Sequence, residues 1–253
     1  MKKAPEKIVT CFALVTDFGF DSPYLGQMHA VLKNGAPHIP VVNLLSNAPA
    51  FNPRASAYLL KALANYLPKH TLFISIVDPG VGSDRTGLIV ETDDYLFVGP
   101  DNGLLSQVVR GSCRCQAWSI DCDSITASPT FHGRDIFAPI AARLANHEQS
   151  PDEFTSAGSI VGVDWPAALY ECIYIDHYGN IFTGLSEEQV NCNMILTIGS
   201  KRISYARAFS DVLPGELFWY VNSCGLIEIA ANMARASELL KVKIGETVNV
   251  EVA

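Results

Sequence analysis

No apolar stretch of this chain reaches the roughly 18 residues that a membrane-spanning helix needs, so an embedded fold is not expected. Positive charge is also scarce: 18 Lys and Arg stand against 26 Asp and Glu, a formal charge of −8. A binder of nucleic acid or of an anionic membrane surface would carry a basic patch, and the sequence has none; a small cationic ligand is favoured instead. The seven cysteines (Cys11, Cys113, Cys115, Cys122, Cys172, Cys192 and Cys224) include no C-x-x-C pair and have no histidine partners at finger spacing. Their odd number argues for reduced thiols in a cytoplasm. H-E-x-x-H, the EF-hand loop and zinc spacings are missing, so no metal is expected. The G-K-[ST] phosphate loop, G-x-G-x-x-G and the G-x-S-x-G nucleophile elbow are missing too, which weighs against nucleotide phosphates and an α/β-hydrolase serine.

What is present is globular. Of the 253 residues 49% are hydrophobic and 17% charged, enough to bury a proper core and long enough for two domains. The opening "MKKAPEKIVTCFALVTD" has a basic start and an apolar run, but it ends in Asp17 without a small-residue cleavage site and reads as the first strand. The runs "IVTCFALVT", "VVNLL" and "TLFISIV" suit a parallel sheet covered on both faces. Between them lie helices with readable starts, Ser22 then Pro23 and Asn52 then Pro53. A hairpin turning at Asp93 and Asp94 follows, and a further helix is expected from about Arg134 to Asn146. "NHEQSPDEFTSAGSIVGVDWPAAL" has the polarity, Gly and Pro of a linker, after which short alternating runs dominate. The fold class expected is α/β: a doubly wound, mostly parallel N-terminal sheet over residues 1–160, then a smaller β-barrel or sandwich domain over 161–253.

In a doubly wound sheet the functional crevice lies beyond the carboxyl ends of the strands. Asp17 closes "FALVTD" and Asp78 closes "FISIVD", each with glycine close behind. One such residue could merely cap a turn; two converging ones favour a site. In "SPTFHGRDIFAPIAARLA", Arg134 and Asp135 are explained by a local ion pair at a helix start, whereas His132, just before the helix, reads as a site residue. In "VGPDNGLLS", Asp101 or Asn102 is expected to cap a helix. His29, His38, His70 and His147 read as solvated histidines.

"TDFG", "IVDPGVGSDR", "VGPDNG", "TFHGRDIFAP", "IDHYGN" and "NSCGLIEIAANMA" occur in this order along nearly the whole chain. Together they resemble the adenosine-forming S-adenosyl-L-methionine (SAM) hydrolases, also called SAM hydroxide adenosyltransferases, which are relatives of the fluorinases and chlorinases. The resemblance implies an α/β domain, a smaller β domain, and homotrimers with active sites between the N-terminal domain of one subunit and the C-terminal domain of the next. It implies SAM as substrate with no cofactor. By the same resemblance Asp78, Arg85 and His132 activate a water, and Asp17 grips the ribose hydroxyls. Phe51 and Phe131 line the sugar and methionine region, Phe209 stacks on adenine, Asn180 and Ser223 meet the amino-acid end, and Met233 lies where a backbone group reads the adenine edge. Halogenases of the family carry arginines where this chain has Cys224 and Ala231, and the loop that fluorinases insert is absent. Both departures favour water over halide. A halogenase and a non-catalytic SAM- or adenosine-binding protein are the alternatives.

Overall fold

The computed structural model describes Pro5, residues 7–148 and residues 154–252. The chain divides into two compact units: one takes the sequence up to Leu60 together with Leu67–Trp165, the other Lys61–Tyr66 and the residues from Pro166 onward.

The first unit holds a seven-stranded sheet. Its strands are β1 (Cys11–Thr16), β2 (Val41–Leu45), β3 (Thr71–Ile76), β4 (Gly87–Glu91), β5 (Leu96–Pro100), β6 (Gln116–Ile120) and β7 (Thr155–Ser156), in the order β2-β1-β3-β5-β4-β6-β7. The β2, β1, β3 and β5 pairings are parallel and the remaining three antiparallel. So β1, β2, β3, β5 and β6 run one way and β4 and β7 the other: a mostly parallel sheet. Every residue of β1 and β3 is buried, as continuously apolar strands covered on both faces should be.

Helix α1 (Pro23–Gly35) starts after Ser22 with proline at its first position and buries Leu25, Met28 and Leu32, one stripe at helical spacing. Helix α2 (Pro53–Ala64) begins as the sequence announces, with Asn52 Oδ1 accepting the Ala55 N–H at 3.0 Å. The hairpin between β4 and β5 closes through Thr92 and Tyr95 around Asp93 and Asp94. A short helix, α3 (Ser106–Arg110), follows β5, and α4 (Ala138–Ala145) joins α1 in one core with Phe12, Leu14, Leu72 and Ile74 of the sheet. Three local features depart from the sequence reading. Asp101 caps no helix; its Oδ1 accepts the Val161 N–H at 2.9 Å, while Asn102 Oδ1 takes the Leu104 N–H at 3.2 Å. The segment read as a linker contributes β7 to the sheet, and Trp165 within it lies 6.0 Å from the Arg54 guanidinium. The helix after His132 opens as a π-helical turn, Gly133–Phe137, closed by the Ala138 N–H on the Gly133 carbonyl. Pro139, at the start of α4, falls where the first turn of a helix tolerates a residue without an N–H.

The strands of the second unit's two sheets all pair antiparallel. Strands β8 (Leu169–Ile175), β9 (Ile181–Ser186), β12 (Leu217–Val221) and β13 (Leu226–Ala231) form a sheet in the order β12-β13-β9-β8. Strands β10 (Met194–Ile198), β11 (Lys201–Ile203) and β14 (Asn249–Val252) form a second, ordered β11-β10-β14. Cys172, Ile181, Trp219, Ile227 and Ile229 of the first share one core with Leu196, Ile198 and Ile203 of the second, which makes this a sandwich. A short helix, α5 (Ala236–Leu240), follows β13.

Candidate active site

The first unit gathers its candidate residues at the carboxyl end of the parallel strands. Because Thr16 pairs with Ile76, the chain leaves β1 and β3 side by side, with Asp17 one residue beyond β1 and Asp78 two residues beyond β3. The loop after Asp78 turns back on itself through Ser83, whose hydroxyl donates to the Gly80 carbonyl at 2.7 Å. Gly82 has φ +80°, and a Cβ on it would collide with the Pro129 carbonyl, so only glycine fits. The reversal returns Arg85 to Asp78. Arg85 Nε donates to Asp78 Oδ1 at 2.8 Å, Nη2 donates to Asp78 Oδ2 as the second prong, and Nη2 also reaches His132 Nδ1 at 3.1 Å. Both side chains of the ion pair are at least nine-tenths buried, and Arg85 further lies 5.5 Å from the Phe137 ring centroid.

A guanidinium cannot accept a hydrogen bond, so Nδ1 of His132 is the acceptor and the imidazole proton sits on Nε2. Burial and then the Arg85 charge hold the imidazole below the ordinary histidine range, consistent with that neutral tautomer. The π-helical turn sets its backbone, and the space is tight: a Cβ at Gly133 would sit 2.8 Å from Ile76 Cδ1. Asp135 and Arg134 do structural duty, as the sequence suggested. Arg134 grips Asp135 through Nε at 2.6 Å and Nη2 at 2.9 Å, and Asp135 Oδ2 accepts the Ser128 N–H at 2.9 Å, pinning the loop that carries His132.

Asp17, Phe51, Asp78, Phe131 and His132 line one pocket of about 110 Å³, with Arg85 behind the last carboxylate and the imidazole. Asp17 Oδ2 accepts the Phe51 N–H at 3.1 Å, and burial pushes the Asp17 carboxyl above the usual range. Phe51 itself is exposed and strained, at φ +58°. Phe131 packs in an edge-on trio with Phe18 and Tyr24, at 5.7 and 5.2 Å. The Thr130 hydroxyl on the pocket wall and the Phe18–Tyr24 pair were not singled out from sequence.

The second unit carries a pocket of about 800 Å³, and Asn180, Phe209, Ser223 and Met233 all line it. One edge of Phe209 rests on Phe218 and Tyr220, at 5.0 and 5.7 Å, while the ring stays 39% exposed and free to stack. Met233 is exposed with φ +55°. Ala231 lines the pocket; Cys224 donates its N–H to Asn222 Oδ1 at 2.9 Å. Sequence reasoning missed the polar floor: Asp176, Tyr220, Asn222 and Glu228. Its size falls within the roughly 300–1,000 Å³ of small-molecule sites, whereas the pocket at Asp17 and Asp78 is smaller. Among the described residues no cluster of three or more His, Cys, Asp or Glu could hold a metal ion.

The family model for the SAM hydroxide adenosyltransferase N-terminal domain matches residues 12–155, and the model for the C-terminal domain matches residues 170–249. The chain belongs to the SAM hydroxide adenosyltransferase family. It is 32% identical to an (R)-S-adenosyl-L-methionine hydrolase of Salinispora arenicola over 94% of this chain and 96% of that one. A fluorinase of Actinopolyspora mzabensis is more distant, 20% identical over 94% of this chain and 96% of the other. The fold is similar to the crystal structure of an uncharacterised conserved protein from Thermotoga maritima, with a TM-score of 0.83, 30% identity, and coverage of 94% of this chain and 99% of that one. Family membership accounts for the order of the motifs; the residues that line the two pockets are a property of this fold.

Proposed function

We propose that this enzyme hydrolyses S-adenosyl-L-methionine to adenosine and L-methionine. Water, or hydroxide, attacks the ribose 5′ carbon in line with the sulfonium; the C–O bond forms, the C–S bond breaks, and sulfur leaves as a neutral thioether. One water proton is released to solvent. A neutral leaving group needs no general acid, metal or cofactor, so the enzyme's task is to position the nucleophile and exclude bulk water. The proposal rests above all on the hydrogen-bonded Asp78–Arg85–His132 set beside the Asp17 carboxylate.

Each residue then has a role. His132, protonated on Nε2, donates to the water oxygen; Asp78, whose two oxygens keep lone pairs beyond those spent on Arg85, accepts from the water. Arg85 holds both in place. Asp17 accepts from the ribose hydroxyls, Phe131 and Phe51 flank the sugar, Phe209 stacks on adenine, Met233 presents backbone to the adenine edge, and Asn180 and Ser223 meet the amino-acid end. Residues 1–160 supply the water-activating set and residues 161–253 the adenine and methionine contacts. A site needing both is completed in a homotrimer, with neighbouring subunits contributing one part each. Free thiols at all seven cysteines agree with a cytoplasmic setting; no helix among the described residues is long and apolar enough to cross a membrane.

The test is chromatographic detection of adenosine from purified protein and SAM, with and without EDTA. Equal rates are expected in the two arms, and an unchanged rate in His132→Ala would remove the imidazole from the reaction. Parallel reactions with chloride and fluoride address the halogenase alternative: a 5′-halo-adenosine would establish it, and retention of SAM without turnover would establish a binding protein.

A further inference from the structure

We infer that Glu228 is the positioning residue of the larger pocket, a buried acceptor that sets Tyr220 and Asn222 and, through them, both ends of the bound substrate. This rests on the assignment of that pocket to SAM. Glu228 lies in the middle of β13, 3% exposed and directly opposite Tyr220 of β12. Its Oε1 accepts the Tyr220 hydroxyl and its Oε2 accepts Asn222 Nδ2–H at 2.9 Å, with the Asn180 side chain close by. Tyr220, Asn222 and Asn180 all line the pocket.

Each donor passes the constraint outward. The Tyr220 ring stacks on Phe218 with centroids 5.5 Å apart and meets Phe209 at 5.7 Å, so seating its hydroxyl fixes the wall behind the ring assigned to adenine. Asn222 spends its Oδ1 on the N–H groups of Cys224 and Leu226, at 2.9 and 3.0 Å. Its Nδ2 must therefore face Glu228, and that amide orientation folds the turn bearing Ser223. Asn180 bridges to Asp176, donating Nδ2–H to Oδ2 at 3.2 Å and its backbone N–H to Oδ1 at 2.8 Å. One carboxylate thus ties the stacking ring to the turn bearing Ser223, one of the residues assigned to the amino-acid end. Two donors converge on it, and an acceptor-only carboxylate satisfies both. Leucine would strand both. Glutamine keeps one acceptor oxygen for Asn222 and lets the Tyr220 hydroxyl reverse, so it preserves part of the network.

The experiment is calorimetric titration of adenosine and of SAM into full-length wild-type protein, Glu228→Leu and Glu228→Gln, with KM and kcat measured alongside. Glu228→Leu is expected to weaken both ligands about 10- to 100-fold, the scale of lost hydrogen bonds to a buried charged group. The loss should fall on KM rather than kcat, because these contacts serve ground and transition states alike. Glu228→Gln should recover part of it. Wild-type affinity in Glu228→Leu, or a glutamine variant no better than leucine, overturns the inference. If Glu228→Leu gives no cooperative melt, Tyr220→Phe removes a single donor instead: weaker adenosine binding is expected, and unchanged binding overturns the inference. A protein that binds as described but forms no adenosine from SAM refutes the hydrolase proposal alone; turnover with affinities indifferent to Glu228 refutes only this one.

Discussion

His132 is held by a neighbour that can only donate, so its neutral form is built into the hydrogen-bond geometry before any solvent is considered. Burial and the Arg85 charge both lower its pKa. Protonation would strip Nδ1 of its lone pair and set two donors face to face. Turnover should therefore persist down through the ordinary histidine range and fall only below it, as a pH profile of kcat/KM would reveal. Arg85→Met removes a charge that depresses the imidazole, so the acid limb of that profile should move to higher pH; a limb that stays in place would detach the guanidinium from His132. The stability sign follows the same logic. A histidine whose folded pKa lies below its unfolded value of about 6.5 binds fewer protons in the native state, so its contribution is complete above that value. It is lost as pH falls toward the folded pKa, and denaturant melts at descending pH should report that loss in wild type and not in His132→Ala. In the same variant kcat should drop about 10²- to 10⁴-fold, the usual scale for removing a positioned proton-handling group.

Two irregular elements hold the set together. The loop from Asp78 to Arg85 closes only because Gly82 takes φ +80° against the Pro129 carbonyl, and the Pro129 segment leads directly to His132. Gly82→Ala is expected to cost about 1–3 kcal/mol in a thermal melt, as a strained non-glycine residue does, and to lower kcat on the order of 10²-fold by displacing Arg85 from its two partners. An alanine variant with wild-type melting and turnover would remove this loop from the account. The π-helical turn after His132 plays the companion role, with Asp135 tied to the Ser128 N–H across the loop mouth. Asp135→Asn keeps an acceptor there but gives up the charge that binds Arg134, so a smaller loss of melting temperature is expected than for Asp135→Ala.

At the scale of the whole molecule the two pockets differ in size, about 110 Å³ in the first unit against about 800 Å³ in the second. A trimer in which neighbouring subunits each contribute one pocket makes a sharp expectation. Light scattering after size exclusion should give three times the chain mass. Mixing His132→Ala with Phe209→Ala, each strongly impaired alone, should restore part of the turnover once subunits exchange, because some sites then draw both intact halves from different chains. No recovery on mixing, with exchange verified by labelled subunits, would count against shared sites.

Sequence alone carried the strand ends, the helix starts and the motif residues. Apolar runs, Asn52 before Pro53 and glycine-bordered aspartates are local signals, and the residues that act in a loop are tied to that loop's own composition. It also placed Asp78, Arg85 and His132 in two motifs, though not in hydrogen-bond contact; that contact depends on a loop reversal that sets Gly82 against Pro129 and on the π-helical turn after His132, which involve separate segments. Glu228 was the least legible of all. Within "LIEIAAN" a single acid reads as the solvent face of an alternating strand, yet every residue of β13 is buried. Only the cross-strand register that sets Tyr220 opposite Glu228, and the turn that aims Asn222 at it, makes a buried carboxylate tolerable there. A buried charge is stabilised by partners distant in the chain, and tertiary structure alone chooses those partners.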